Sequence, residues 1–189
     1  GQIVEEMHMP AWRAIPEVGI EFVCDRDPER LGFFARKHGV KKTYLSAEEA
    51  LAENPDIDFV SIATPGFTHY ELASMVIEAG VDLLVEKPLA LSLSDAQNLQ
   101  RQSREKGVRV CVGHTSRFRD PVLRAKEACD RGLVGEIYQI KISHHGESFY
   151  HAAEPAWRWR EQAHKILLYE LAIHLLDLEV YFCGAVKEL

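Results

Sequence analysis

Residues 58–90 read DFVSIATPGFTHYELASMVIEAGVDLLVEKPLA. A β-prone run from Asp58 to Ala63 meets a Thr64-Pro65-Gly66 turn. A helix follows from about His69 to Ala79, and a second apolar run begins after Gly80 and stops at Glu86-Lys87-Pro88. Two strands joined by one helix make a parallel β-α-β unit, because parallel neighbours need a crossover of a dozen or more residues. The same alternation extends in both directions. Residues 20–24, IEFVC, form a compact strand ending at Asp25, followed by a helical segment from Glu29 to His38 with Leu31, Phe34 and Ala35 on one face. Downstream, Ser94-Asp95-Ala96-Gln97 reads as a capping box that opens a helix running to about Lys106, and VRVCVG (108–113) is one more strand. Three of these helices end alike, at His38-Gly39-Val40, Ala79-Gly80-Val81 and Lys106-Gly107-Val108. Glycine takes the left-handed conformation that closes a helix, and valine then leads into β structure. The pattern predicts a parallel sheet covered by helices on both faces.

The chain has 189 residues, 47% of them hydrophobic, enough for a real core. Its 22 basic and 29 acidic residues give a formal charge of -7, which argues against nucleic acid and acidic lipid as partners. Apolar runs stop well short of membrane-spanning length. Cys24, Cys111, Cys129 and Cys183 form no CxxC pair, so neither a disulfide framework nor a cysteine zinc site is indicated, and a reducing cytoplasm fits. After about Phe118 the composition shifts. A helix from roughly Pro121 to Arg131 precedes EIYQIKISHHGE (136–147), read as a long strand of a second domain; a Trp- and Arg-rich loop (156–161) then leads to a last helix from about Lys165 to Tyr181. The domains are accordingly 1–118 and 119–189.

Parallel α/β sheets bind ligands beyond the carboxyl ends of their strands. Asp25 stands at such a tip, 24 residues after Gly1, close to the spacing between a dinucleotide loop and the acid that holds ribose hydroxyls; the competing reading is an ordinary turn acid. Arg26 would lie along an adenine or attract a 2′-phosphate, but a carboxylate at Asp25 repels that phosphate and favours NAD over NADP. Thr64, Pro65 and His69 form a turn and a helix start that either face a cofactor or simply cap the helix. Lys87 presents a cation at a strand tip, suited to stabilising negative charge on a carbonyl oxygen, and Pro88 limits its backbone to extended conformations. In YELAIHLLDL, Glu170, His174 and Asp177 stand at i, i+4 and i+7 and share a helix face. Imidazole suits proton exchange near neutral pH, and a carboxylate one turn away fixes its tautomer. The face reads equally as a polar stripe at a domain contact. A metal there would need a further ligand from elsewhere, and none is assigned. Trp157-Arg158-Trp159-Arg160 either stacks on a sugar or acid or packs on its own domain.

The stretches CDRDPERLGFFARKHGV, residues 55–99, GVRVCVGHTSRFRDPVLRAKEACDRGLVGEI and ELAIHLLDLEVYFCGAV together resemble the glucose-fructose oxidoreductase and inositol dehydrogenase family, Gfo/Idh/MocA. The resemblance implies a Rossmann domain that binds NAD or NADP, followed by an incomplete α+β domain built on a mostly antiparallel sheet that covers the nicotinamide. It implies a homodimer or homotetramer. Gly1, Asp25, Arg26, Thr64, Pro65, His69, Glu86, Lys87 and Arg117 become cofactor-binding residues, with Lys87 also near the reacting carbon and His174 in the place of the catalytic histidine. Two departures are plain. Of the usual glycine-rich loop only Gly1 remains, and before the histidine Glu170 stands where the family has aspartate and Ala172 where it has glycine. Glutamate carries its charge one carbon further, and about 1 Å of misplacement costs on the order of 100-fold in rate.

The reading is an oxidoreductase that moves hydride between NAD and a sugar, cyclitol or related polyol. His174 takes the hydroxyl proton, Lys87 stabilises the oxygen charge and Glu170 orients His174. Two alternatives stand beside it, an NAD-retaining lyase-like or glycosidase-like enzyme and a non-catalytic NAD(P)-binding regulatory protein. Because Gly1 falls where a phosphate loop would finish and Leu189 falls inside an unfinished domain, the natural polypeptide is expected to be longer at both ends. The 189-residue piece alone is expected to aggregate or fold only in part.

Overall fold

The computed structural model describes residues 3–143, 169 and 172–187. The chain divides into two units, Gly1–Val112 and Gly113–Leu189. In the first, a π-helical turn (Val4–His8) runs into α1 (Met9–Arg13). Strands and helices then alternate as β1 (Phe22–Cys24), α2 (Pro28–His38), β2 (Lys42–Tyr44), α3 (Ala47–Glu53), β3 (Phe59–Ile62), a 3-10 turn (Gly66–Thr68), α4 (His69–Glu78), β4 (Asp82–Val85), α5 (Leu93–Lys106) and β5 (Val110–Val112). The alternation expected from residues 58–90 is present, with β3 and β4 parallel and the helix between them. The sequence reading did not place β2 or α3, although Ser46 caps α3 by accepting from the Glu49 amide, the geometry of a serine three residues ahead of an acid.

Strand pairing follows two ladders. β1 lies beside β2, and β3, β4 and β5 lie side by side in that order. In the larger ladder Ile62 is opposite Val85 and Val85 opposite Val112, so the three carboxyl ends finish level. Helix α4 packs its buried Ala73, Val76 and Ile77 against Ile62, Leu83 and Val85, with Leu99 of α5 completing the cluster. Each fully buried aliphatic side chain of this kind contributes roughly 1.5–3 kcal/mol relative to exposure. The π-helical turn and α1 connect the two ladders: Glu5 meets Lys37 at 3.2 Å near the end of α2, while His8 reaches Ser61 on β3.

The helix ends obey the glycine rule. Gly39 and Gly107 close α2 and α5 with φ of 69° and 68°, where a β-carbon would strain the backbone. The start of α5 differs from expectation. Its cap is Ser92, whose hydroxyl accepts from the Asp95 amide at 3.1 Å, rather than Ser94; both serines satisfy the local pattern, and the one two residues earlier adds most of a turn.

The second unit holds a 3-10 turn (Thr115–Phe118), α6 (Asp120–Asp130) and α7 (Ile173–Cys183). The expectation of a mostly antiparallel sheet is overturned. Every strand pairing among the described residues is parallel, and this unit contributes helices and no strand. Residues 136–143, read as the first part of a long strand, form none. A strand exists through its ladder, and no described segment pairs with this one. The rest of that stretch, the Trp- and Arg-rich loop and the start of the last helix lie outside the described residues.

Candidate active site

In the first unit, chemistry gathers where β3 and β4 end. The Glu86 amide donates to the Ile62 carbonyl at 2.8 Å, extending the ladder one residue past β4. Directly beyond, the chain turns at Lys87-Pro88 through a cis peptide bond. Glu86 does not emerge into solvent. Its carboxylate is buried and accepts a 2.8 Å bond from His8 Nε2, while His8 Nδ1 lies 3.1 Å from the Ser61 hydroxyl. Burial alone would push the Glu86 carboxyl up. The His8 hydrogen bond, with the pull of His8 and Lys87, outweighs it and leaves the group below the usual carboxylate range. A charged strand end can therefore sit inside the fold because a histidine 78 residues away in sequence meets it.

The Thr64-Pro65-Gly66 turn rests on the same loop. A β-carbon at Gly66 would stand 3.1 Å from Pro88 Cδ and 3.3 Å from its Cγ, so only glycine lets the two turns approach this closely. Thr68 closes the turn by donating to the Pro65 carbonyl at 2.8 Å, with its hydroxyl 2.7 Å from that of Thr64. His69 opens α4 with its ring almost wholly buried, Nδ1 2.7 Å from the Pro88 carbonyl oxygen and Nε2 2.8 Å from that of Thr64. Lys87, half-buried, lies between the two residues these histidines hold. At the tip of β1, Asp25 is half-buried. One of its carboxylate oxygens accepts from the Asp27 amide at 3.0 Å, and Arg30 stands 3.7 Å from the other; Arg26 is exposed.

The second unit places His174 on the first turn of α7, half-buried, three residues before Asp177. Asp177 is 8% exposed and receives both arms of Arg117, Nε at 2.7 Å and an Nη at 2.6 Å, with His114 3.7 Å away. The guanidinium also lies over the Tyr181 ring, 4.9 Å from its centre. Arg117, expected at the cofactor, is thus tied to the helix that carries His174, and the bond to Asp177 holds it still more firmly protonated. Gly1, Glu170 and Trp157 to Arg160 lie outside the described residues. Sequence reasoning missed His8 and Ser61 altogether. A histidine in MHMP carries no local mark of a partner on another strand.

The model of an oxidoreductase family with an NAD-binding Rossmann fold, Gfo/Idh/MocA, matches residues 1–114, more than half of the chain. The chain belongs to the Gfo/Idh/MocA family. A model of the Gfo/Idh/MocA C-terminal domain matches residues 122–189. Among relatives, D-apiose dehydrogenase of Rhizobium rhizogenes is 29% identical over 98% of this chain and 52% of its own length. The NADP-dependent scyllo-inositol 2-dehydrogenase of Bacillus subtilis is 28% identical over 81% of this chain and 44% of its own. A crystal structure of an oxidoreductase from Agrobacterium radiobacter in complex with NAD+, L-tartaric acid and magnesium superposes with a TM-score of 0.74 at 25% identity, covering 94% of this chain and 51% of that one. This member of Gfo/Idh/MocA spans about half the length of the curated relatives it matches. No helix among its described residues is long and apolar enough to cross a membrane.

Proposed function

We propose that this chain belongs to an NAD-dependent dehydrogenase that oxidises a secondary hydroxyl of a sugar, cyclitol or related polyol, or reduces the matching ketone. The observation that carries the reading is the Glu86-Lys87-Pro88 loop. A cation stands at the carboxyl end of a parallel strand, on a backbone fixed from both sides, in a chain of a dinucleotide-binding oxidoreductase family. The names of the relatives, an apiose and an inositol dehydrogenase, support the polyol class. Asp25 fits the ribose of a dinucleotide, since the Asp27 amide anchors one oxygen and the partly open carboxylate offers the other to hydroxyl donors. When bound, the nicotinamide supplies the hydride carrier. Lys87 stabilises negative charge on the substrate oxygen, His174 takes or returns the hydroxyl proton, and Glu170 orients His174. Arg117 and Asp177 fasten the 3-10 turn to α7 and so steady the histidine's helix.

A cytoplasmic homodimer or homotetramer fits the rest. All four cysteines are free, and Leu133, Val134, Ile137 and Tyr138 leave exposed apolar surface on the second unit. The test is steady-state kinetics of the full-length protein on a polyol panel, with cofactor titration. Lys87→Ala and His174→Ala are each expected to lose at least about 100-fold in kcat/KM while NAD affinity moves much less. Near-normal turnover in both variants would reject the mechanism and leave a cofactor-binding protein without dehydrogenase chemistry.

A further inference from the structure

Three consecutive residues carry the loop, and each neighbour of Lys87 is held by a different buried histidine. On the amino side, Glu86 is fixed to His8, which in turn meets Ser61 on β3. On the carboxyl side, the Pro88 carbonyl is fixed to His69, whose other ring nitrogen meets the Thr64 carbonyl. His8 is 8% exposed and His69 1%, so water competes for neither pair of bonds. The two rings approach from separate elements, one from the π-helical turn and one from α4. Neither would be needed merely to fill space. An aliphatic side chain packs as well, and a polar ring in such surroundings is costly unless its bonds are made. Between the two anchors the Lys87 backbone has little freedom to turn.

We propose that His8 and His69 are positioning residues for Lys87. They clamp the peptide on either side of it so that its amine projects in one direction from the tip of β4, and they act through Glu86 and Pro88 without touching substrate or cofactor. The inference rests on the dehydrogenase reading for what Lys87 does, and on geometry alone for how Lys87 is held. Misplacement of a reacting group by about 1 Å costs on the order of 100-fold in rate, so a clamp of this kind acts on kcat more than on KM.

The test uses the full-length protein with His8→Ala, His8→Gln, His69→Ala and Ser61→Ala, each checked for native circular dichroism. His8→Gln keeps an N–H donor for Glu86, and Ser61→Ala leaves the Glu86 bond intact; these milder variants carry the test if an alanine at either histidine prevents folding. Two quantities are read. The first is kcat and cofactor KM on an accepted polyol. The second, independent of turnover, is the rate at which an amine-reactive acetylating reagent labels Lys87 relative to the exposed Lys41, followed by peptide mass spectrometry. His8→Ala and His69→Ala are expected to lower kcat at least about tenfold with cofactor KM within about twofold, and to change the Lys87 labelling ratio, while His8→Gln restores both. An unchanged labelling ratio in a folded His8→Ala or His69→Ala variant overturns the clamp. So does a labelling change that His8→Gln shares in full, because then the donor to Glu86 is not what matters. If instead Lys87→Ala turns over normally but labelling at Lys87 still responds to the histidines, the clamp stands and the catalytic role of Lys87 fails.

Discussion

Replacing Arg117 by alanine should unseat α7. The guanidinium makes two short bonds, at 2.7 and 2.6 Å, to a carboxylate that is 8% exposed, and is itself 34% exposed. Breaking a buried pair by removing one partner costs about 3–5 kcal/mol, because the other charge stays behind in a poorly solvated place. With a third of Arg117 open to water the loss should be smaller, about 2–3 kcal/mol, some of it the packing over Tyr181. Arg117→Lys keeps a charge but loses the fork, and should cost about 1 kcal/mol. The double change Arg117→Met with Asp177→Leu removes both charges and should be less damaging than Arg117→Ala alone, since no carboxylate is stranded. Urea denaturation of the full-length protein, read by circular dichroism and extrapolated to water, gives all three values, and His174-dependent turnover follows the same variants. A double variant at least as unstable as the single one would refute the argument, because it would mean that the pair adds only contact area.

Further expectations concern the core, the cofactor and pH. Ile77→Ala empties a fully buried position in the cluster under β3 and β4 and should cost about 2–5 kcal/mol in the same denaturation assay. Calorimetric titration should find NAD bound more tightly than NADP, with Asp25→Ala narrowing the difference; equal affinities in the unmodified protein would remove the ribose role from Asp25. The Glu86 carboxyl is depressed below 4.5 in the fold, so its contribution is complete above that pH and is lost as pH falls through the lower folded value. The stability gap between the wild type and Glu86→Gln should therefore be flat above pH 4.5 and narrow on further acidification.

The parallel unit was legible because its signals are local. The two apolar runs of residues 58–90, the glycines that end α2, α4 and α5, and the abrupt Glu-Lys-Pro stop each follow from a few neighbouring residues. The importance of that stop was legible too, but not its cause. Glu86 is buried because of His8, and no spacing rule links positions 8 and 86. Arg117 misled for the same reason: an arginine at a strand-following turn looks like a ligand for phosphate until Asp177, 60 residues on, is seen to take both its arms. Strand β2 escaped because Lys42-Thr43-Tyr44 is too short for a period, and it is a strand only through β1. Residues 136–143 failed in the opposite sense, alternating imperfectly with nothing described to pair against.

The bond between His8 and Glu86 also bears on how the molecule acquires its shape. Contacts within each β-α-β unit close over short stretches of chain and form early, whereas a contact spanning 78 residues must wait until the loop entropy between its ends has been overcome. The ladder of β3, β4 and β5 needs only local crossovers, so it should appear before the helical turn carrying His8 docks on it. Lys87 would then be present in a folded sheet and still be misdirected. The last step in forming the site is the return of the chain's beginning to its middle, and partial unfolding should reverse that step first, silencing turnover while most of the secondary structure survives.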